Sequence, residues 1–164
     1  MKTIGIALCA TLFVAAAAIQ DPQFDNSKLQ PFIGEWTGTA TMAEESPSPS
    51  TIKGTKVLAD RWVKLDLKFD TEGHGKIEAT AMLTTDSNGV VGGYFFASLA
   101  AEPLFGKGKF TDKKLTIAAT SLDGGESLEF VFDLSVADEL KFSLSETEQE
   151  KVTVMSGTYK KKKA

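Results

Sequence analysis

The chain has 164 residues but a single histidine, His74, and a single cysteine, Cys9, and that scarcity limits its chemistry at once. A Ser-His-Asp triad needs an imidazole beside its nucleophile. His74 stands instead in Glu72-Gly73-His74-Gly75, a turn signature, and no G-x-S-x-G elbow occurs anywhere. One histidine and one cysteine cannot supply the three or four ligands of a zinc site. Gly93-Tyr94-Phe95-Phe96-Ala97-Ser98 and Gly106-Lys107-Gly108-Lys109-Phe110 lack the spacing of a phosphate-binding loop. Asp86-Ser87-Asn88-Gly89 starts like a calcium loop, but the alternating oxygen ligands do not continue. Asp66 and Asp70 share one face of an alternating run, opposite Leu65 and Leu67, which points both carboxylates to solvent. The residues therefore predict no catalytic site, metal site or cofactor, and a protein that is not an enzyme.

Aromatic and apolar side chains remain, and they make a site only if strands hold them around a common space. Arg61-Trp62-Val63-Lys64-Leu65-Asp66-Leu67-Lys68-Phe69-Asp70 alternates apolar and charged residues, the signature of a half-buried strand. Similar runs cover 76–85, 114–122, 127–136, 139–146 and 152–160, separated by turn signals at 72–75, 86–89, 111–114, 122–125 and 136–139. Short hairpins without a long crossover predict an all-β, antiparallel up-and-down β-barrel of about eight to ten strands, whose closure removes exposed edges. Leu29, Phe32 and Ile33 fall at helical spacing before Gly34, which predicts a short N-terminal capping helix. The Pro-Ser-rich stretch at 43–54 reads as a solvated loop that could serve as a lid if it lay over the barrel mouth.

The first twenty residues, MKTIGIALCATLFVAAAAIQ, have a charged start, a short apolar run and an A-x-A pattern. This reads as a signal peptide, 1–18, too brief to span a bilayer. It is followed by a flexible lead at 19–28, a barrel domain at 29–160 and a frayed lysine-rich tail at 161–164. The reading implies export, to a bacterial periplasm or beyond the cell, and cleavage would remove the only cysteine. No transmembrane segment follows, and a formal net charge of −4 without a basic stripe argues against a nucleic-acid partner.

Gly34-Glu35-Trp36-Thr37-Gly38, opening the run of strands, resembles the G-x-W start of lipocalins and other calycins. The chain is most similar to exported bacterial lipocalin-like domains of unassigned function. In these, F-x-G-x-W-x-G precedes a segment rich in arginine and tryptophan, here Ala59-Asp60-Arg61-Trp62-Val63. More distantly the stretch resembles the G-x-W-x-G-x-G of nitrobindin-like haem barrels, with Ala40 at the last glycine position. His74, in a turn, cannot serve as the haem ligand that this second likeness implies, which leaves Tyr94 or Tyr159 as axial candidates. The resemblance implies a structural plug of Trp36 between Gly34 and Gly38, with a basic side chain over the indole: Arg61 first, Lys160 second.

Barrels of this size either fill with side chains or hold one small ligand. The inward faces are expected to carry Phe69, Phe96, Phe130, Phe132 and Phe142 with Ala79, Ala81, Ala97 and Ala119. Arg61, Trp62 and Tyr94 complete the candidate pocket. Its expected occupant is a small apolar or amphipathic, lipid-like molecule. The alternative is a filled barrel that acts as an interaction module, marked by an exposed aromatic patch such as Tyr94, Phe95 and Phe105.

Overall fold

The structure is a computed structural model that describes residues 24–163 apart from 43–44, 72, 74, 126 and 147–151. The predicted signal peptide, the first half of the lead and His74 lie outside the described residues. A short 3-10 helix, Ser27–Phe32, leads into ten strands: β1 Gly34–Met42, β2 Ser48–Val57, β3 Trp62–Thr71, β4 Gly75–Thr85 and β5 Val90–Ala97. There follow β6 Leu104–Thr111, β7 Lys114–Ser121, β8 Ser127–Asp133, β9 Glu139–Glu146 and β10 Val152–Lys161. Each strand pairs antiparallel with its neighbour in sequence, and β1 pairs with β10 from Trp36↔Lys161 to Met42↔Met155, closing the barrel. Every strand then has two partners, so no edge is left to template aggregation. Among the described residues no helix is long and apolar enough to cross a membrane.

Alternation sets the faces. In β3, Val63, Leu65 and Phe69 are buried, while Asp66 on the outer face pairs with Lys64 at 2.9 Å and accepts a hydrogen bond from Thr80 Oγ1 at 2.8 Å. The Pro-Ser stretch corrects the expected loop, because β2 begins at Ser48. Pro49 precedes the first β2–β3 register pair, Ser50↔Phe69, and a strand's first residues tolerate a missing N–H. Only residues 43–47 connect β1 to β2, so that short connection, and not the whole of 43–54, is left to lie over the mouth. The tail is likewise not frayed from 161: β10 runs through Lys161, the Lys162 N–H donates to the Glu35 carbonyl at 2.8 Å, and Lys160 pairs with Glu139.

One end of the barrel is stoppered by the 3-10 helix. Leu29 and Phe32 are fully buried, and the Trp36 indole Nε1 donates to the Phe32 carbonyl at 3.0 Å. Lys161, rather than Arg61 or Lys160, lies over the Trp36 ring, its Nζ 5.1 Å from the centroid and 3.2 Å from the Pro31 carbonyl it donates to. Arg61 sits in the β2–β3 turn, 5.5 Å from the Phe24 ring centroid. Asn26 ties the stopper to the β2–β3 turn and the end of β4: its side-chain NH2 donates to the Asp60 and Arg61 carbonyls at 3.1 and 2.9 Å, and its Oδ1 accepts from the Thr85 N–H at 2.8 Å.

The glycines flanking Trp36 make this end possible. Gly34 has φ +123°, and a Cβ there would lie 3.2 Å from the Lys161 side chain on its way to the indole. Gly38 stands in register between Ser50 of β2 and Tyr159 of β10. With no side chain between them, the two hydroxyls hydrogen-bond across β1 at 3.0 Å. A Cβ on Gly38 would lie 1.9 Å from the Thr158 carbonyl oxygen. We predict that Gly38→Ala costs at least about 1–3 kcal/mol in denaturant unfolding, the usual range for overpacking. Gly92→Ala, whose new methyl would meet nothing nearer than 3.9 Å, should cost nothing measurable.

Candidate ligand-binding site

Above the stopper the barrel is hollow. The cavity has a volume of about 920 Å3 and opens at the end opposite the helix, where the β1–β2, β5–β6 and β7–β8 connections lie. Its wall includes Ile52, Leu65, Ile77, Ala81, Leu104 and Leu128, all apolar and placed by the inward phase of their strands. A series of rings runs up from the stopper. Phe32 meets Phe132 edge-on at 5.6 Å, Phe132 meets Phe142 at 5.2 Å, and Phe130 lies 6.4 Å from Phe142. Phe95 stacks on Phe130 with centroids 3.8 Å apart and planes at 12°.

Of the residues expected to form the pocket, Phe69, Phe130, Phe132 and Phe142 line the cavity together. Arg61, Trp62 and Tyr94 do not. Arg61 belongs to a turn at the stoppered end. Trp62 precedes the inward Val63 and so faces out, where its ring lies 6.0 Å from Tyr94. The expected phase of β5 is corrected by one residue: Val91 and Phe95 are buried, whereas Tyr94 is 42% and Phe96 47% exposed. Gly-Gly-Tyr-Phe-Phe-Ala carries no charged residue to mark the wet face, so sequence alone cannot phase it. Phe96 still borders the cavity at its mouth, as does Ala97.

Three residues at the mouth escape sequence reasoning: Glu45 before β2, Glu102 before β6 and Glu146 ending β9. For Glu146 a signal exists, since it shares the parity of the inward Leu140, Phe142 and Leu144. Glu45 and Glu102 are in connections, where periodicity says nothing. Among the described residues no histidine or cysteine lines the cavity. Of the tyrosines, Tyr94 is outside, and Tyr159 is fully buried with its hydroxyl on Ser50. Burial holds the Tyr159 phenol above its ordinary pKa, with the Ser50 hydrogen bond opposing.

No protein-family model matches the chain, and no curated protein sequence matches it. Solved structures do. The crystal structure of Rv2717c from M. tuberculosis is similar with a TM-score of 0.60 and 14% identity, covering 84% of this chain and 97% of that one. The S-type phycobiliprotein lyase CPES from Guillardia theta is similar with a TM-score of 0.55 and 13% identity, covering 87% and 99%. Both are ten-strand antiparallel barrels of the calycin kind. At these identities the likeness is one of fold, and the fold here is a calycin-like barrel.

Tyr159 supplies a pH test. Because the folded pKa is raised, the unfolded chain loses the phenolic proton first, so this group's contribution is complete below about pH 10 and is lost as pH rises through the folded pKa. At neutral pH, Tyr159→Phe should cost about 0.5–1.5 kcal/mol for the lost hydrogen bond. The variant's deficit should shrink in urea titrations carried above pH 10, because it lacks the titrating group.

Proposed function

We propose that the protein is an exported, non-catalytic carrier that holds one small apolar or amphipathic, lipid-like molecule without a covalent bond. The observation that supports this is the apolar cavity of about 920 Å3, closed at one end and open at the other. Ligand sites are concave, mainly apolar and about 300–1,000 Å3 in size. The likeness of fold to CPES, a phycobiliprotein lyase, is compatible with the reading. Export rests on the signal-like first eighteen residues, and kinship with bacterial lipocalin-like domains on the stretch around Trp36. The absence of enzyme activity is proposed from the poverty of the sequence in histidine and cysteine.

A second reading is favoured by one observation. Trp62, Tyr94 and Phe105 form an aromatic cluster on the outer wall, with Tyr94 6.0 Å from Trp62 and 5.0 Å from Phe105. Such a patch fits a protein partner. It would act alongside the cavity rather than replace it.

Native mass spectrometry of the protein purified without detergent tests the carrier reading. A discrete extra mass that denaturation removes, or stoichiometric uptake of a neutral apolar molecule, is the expected result. A bare mass with no uptake would overturn it. Ala81→Trp, which places an indole in the cavity wall between Leu65 and Phe95, should weaken uptake at least about tenfold, or 1.4 kcal/mol, while the barrel still folds.

A further inference from the structure

We infer that the cavity selects amphipaths with a cationic head, an amine or quaternary ammonium on an apolar body, over carboxylates of the same chain length. The inference rests on the carrier reading and adds the charge of the ligand to it. The cavity wall is apolar, and its only charged side chains among the described residues are Glu45, Glu102 and Glu146, all at the mouth. They come from three separate segments, so the acidic rim belongs to the opening and not to one loop. Asp123, in the β7–β8 turn at the same end, is held by the Ser121 hydroxyl and the Gly125 N–H. Among the described residues, the connections at this end contain no lysine or arginine.

The nearest strand-end cation, Lys76, has the outward parity of β4 and stands in register with Asp70, away from the inward Ile77. Outside the described residues, the β3–β4 turn has Glu72 and His74 in its sequence, and the 147–151 connection has Glu148, Glu150 and Lys151. Basic residues collect instead at the stoppered end: Arg61, Lys113, Lys161, Lys162 and Lys163. A ligand entering tail first thus leaves its head among carboxylates. A cationic head is attracted there, and an anionic one is repelled. Phe96, 47% exposed and bordering the mouth, adds an aromatic ring of the type that favours ammonium groups.

The test compares three ligands with the same tail, decyltrimethylammonium, decanol and decanoate, each below its micelle concentration, by calorimetry at low salt. The ammonium should bind at least about tenfold more tightly than the carboxylate, with the alcohol between. That preference should narrow at high salt, because screening sets in within about 10 Å at 0.1 M. It should also narrow in Glu45→Gln/Glu102→Gln/Glu146→Gln, read as the ratio of ammonium to carboxylate affinity within the same variant. If decanol binds but the carboxylate matches or exceeds the ammonium, the charge inference is wrong while the carrier reading stands. If none of the three binds, the carrier reading fails and the inference with it. An unchanged preference in the triple variant would also overturn it.

Discussion

The hydrogen bond from the Trp36 indole to the Phe32 carbonyl is the contact on which the architecture depends. It is buried, and in that low-dielectric setting an unmade bond would leave two polar groups stranded. Making it fixes the 3-10 helix across the barrel end, which seats Leu29 and Phe32 in the interior and places the Phe32 ring against Phe132. Lys161 then covers the other side of the indole while donating to Pro31, so one lysine holds both the stopper and the last strand. A Cβ on Gly54 would lie 2.0 Å from the same Phe32 carbonyl oxygen, so β2 also leaves room for the stopper.

With one end sealed, the barrel divides into two regions of different physics. The stoppered half is solid: Val63, Leu83, Val91, Leu115, Ile117 and Leu140 are fully buried there with the helix residues. The open half has apolar walls and, among the described residues, no helix to fill it. Full burial is therefore concentrated away from the open mouth, and the three glutamates there stand apart from the core. The proposed carrier role would draw on that separation, because residues that line a cavity cannot also fill it.

The fold is legible because most strands mark both faces. Lys64, Asp66 and Lys68 identify the wet side of β3, and Leu128, Phe130 and Phe132 the dry side of β8. The site is legible to the same extent, and Phe69, Phe130, Phe132 and Phe142 fall into the cavity as their periodicity requires. Legibility fails where one face is unmarked. In β5 two adjacent phenylalanines give no phase, and it is Phe95 rather than Phe96 that turns inward. In β2 proline and serine resemble a loop, although pairing with β1 and β3 overrides their weak strand preference. The partner of Trp36 depends on barrel closure, which brings residue 161 beside residue 36; no local pattern encodes that contact.

The barrel is thus solid at the helix end and hollow at the other. Xenon titration followed by methyl NMR tests this directly, since xenon enters apolar cavities and ignores close-packed cores. Saturable shifts should appear at Leu65, Ile77, Ala81 and Leu104, while Leu29, Leu115 and Ile117 stay unmoved. Shifts absent everywhere, or equal at both ends, would contradict the account.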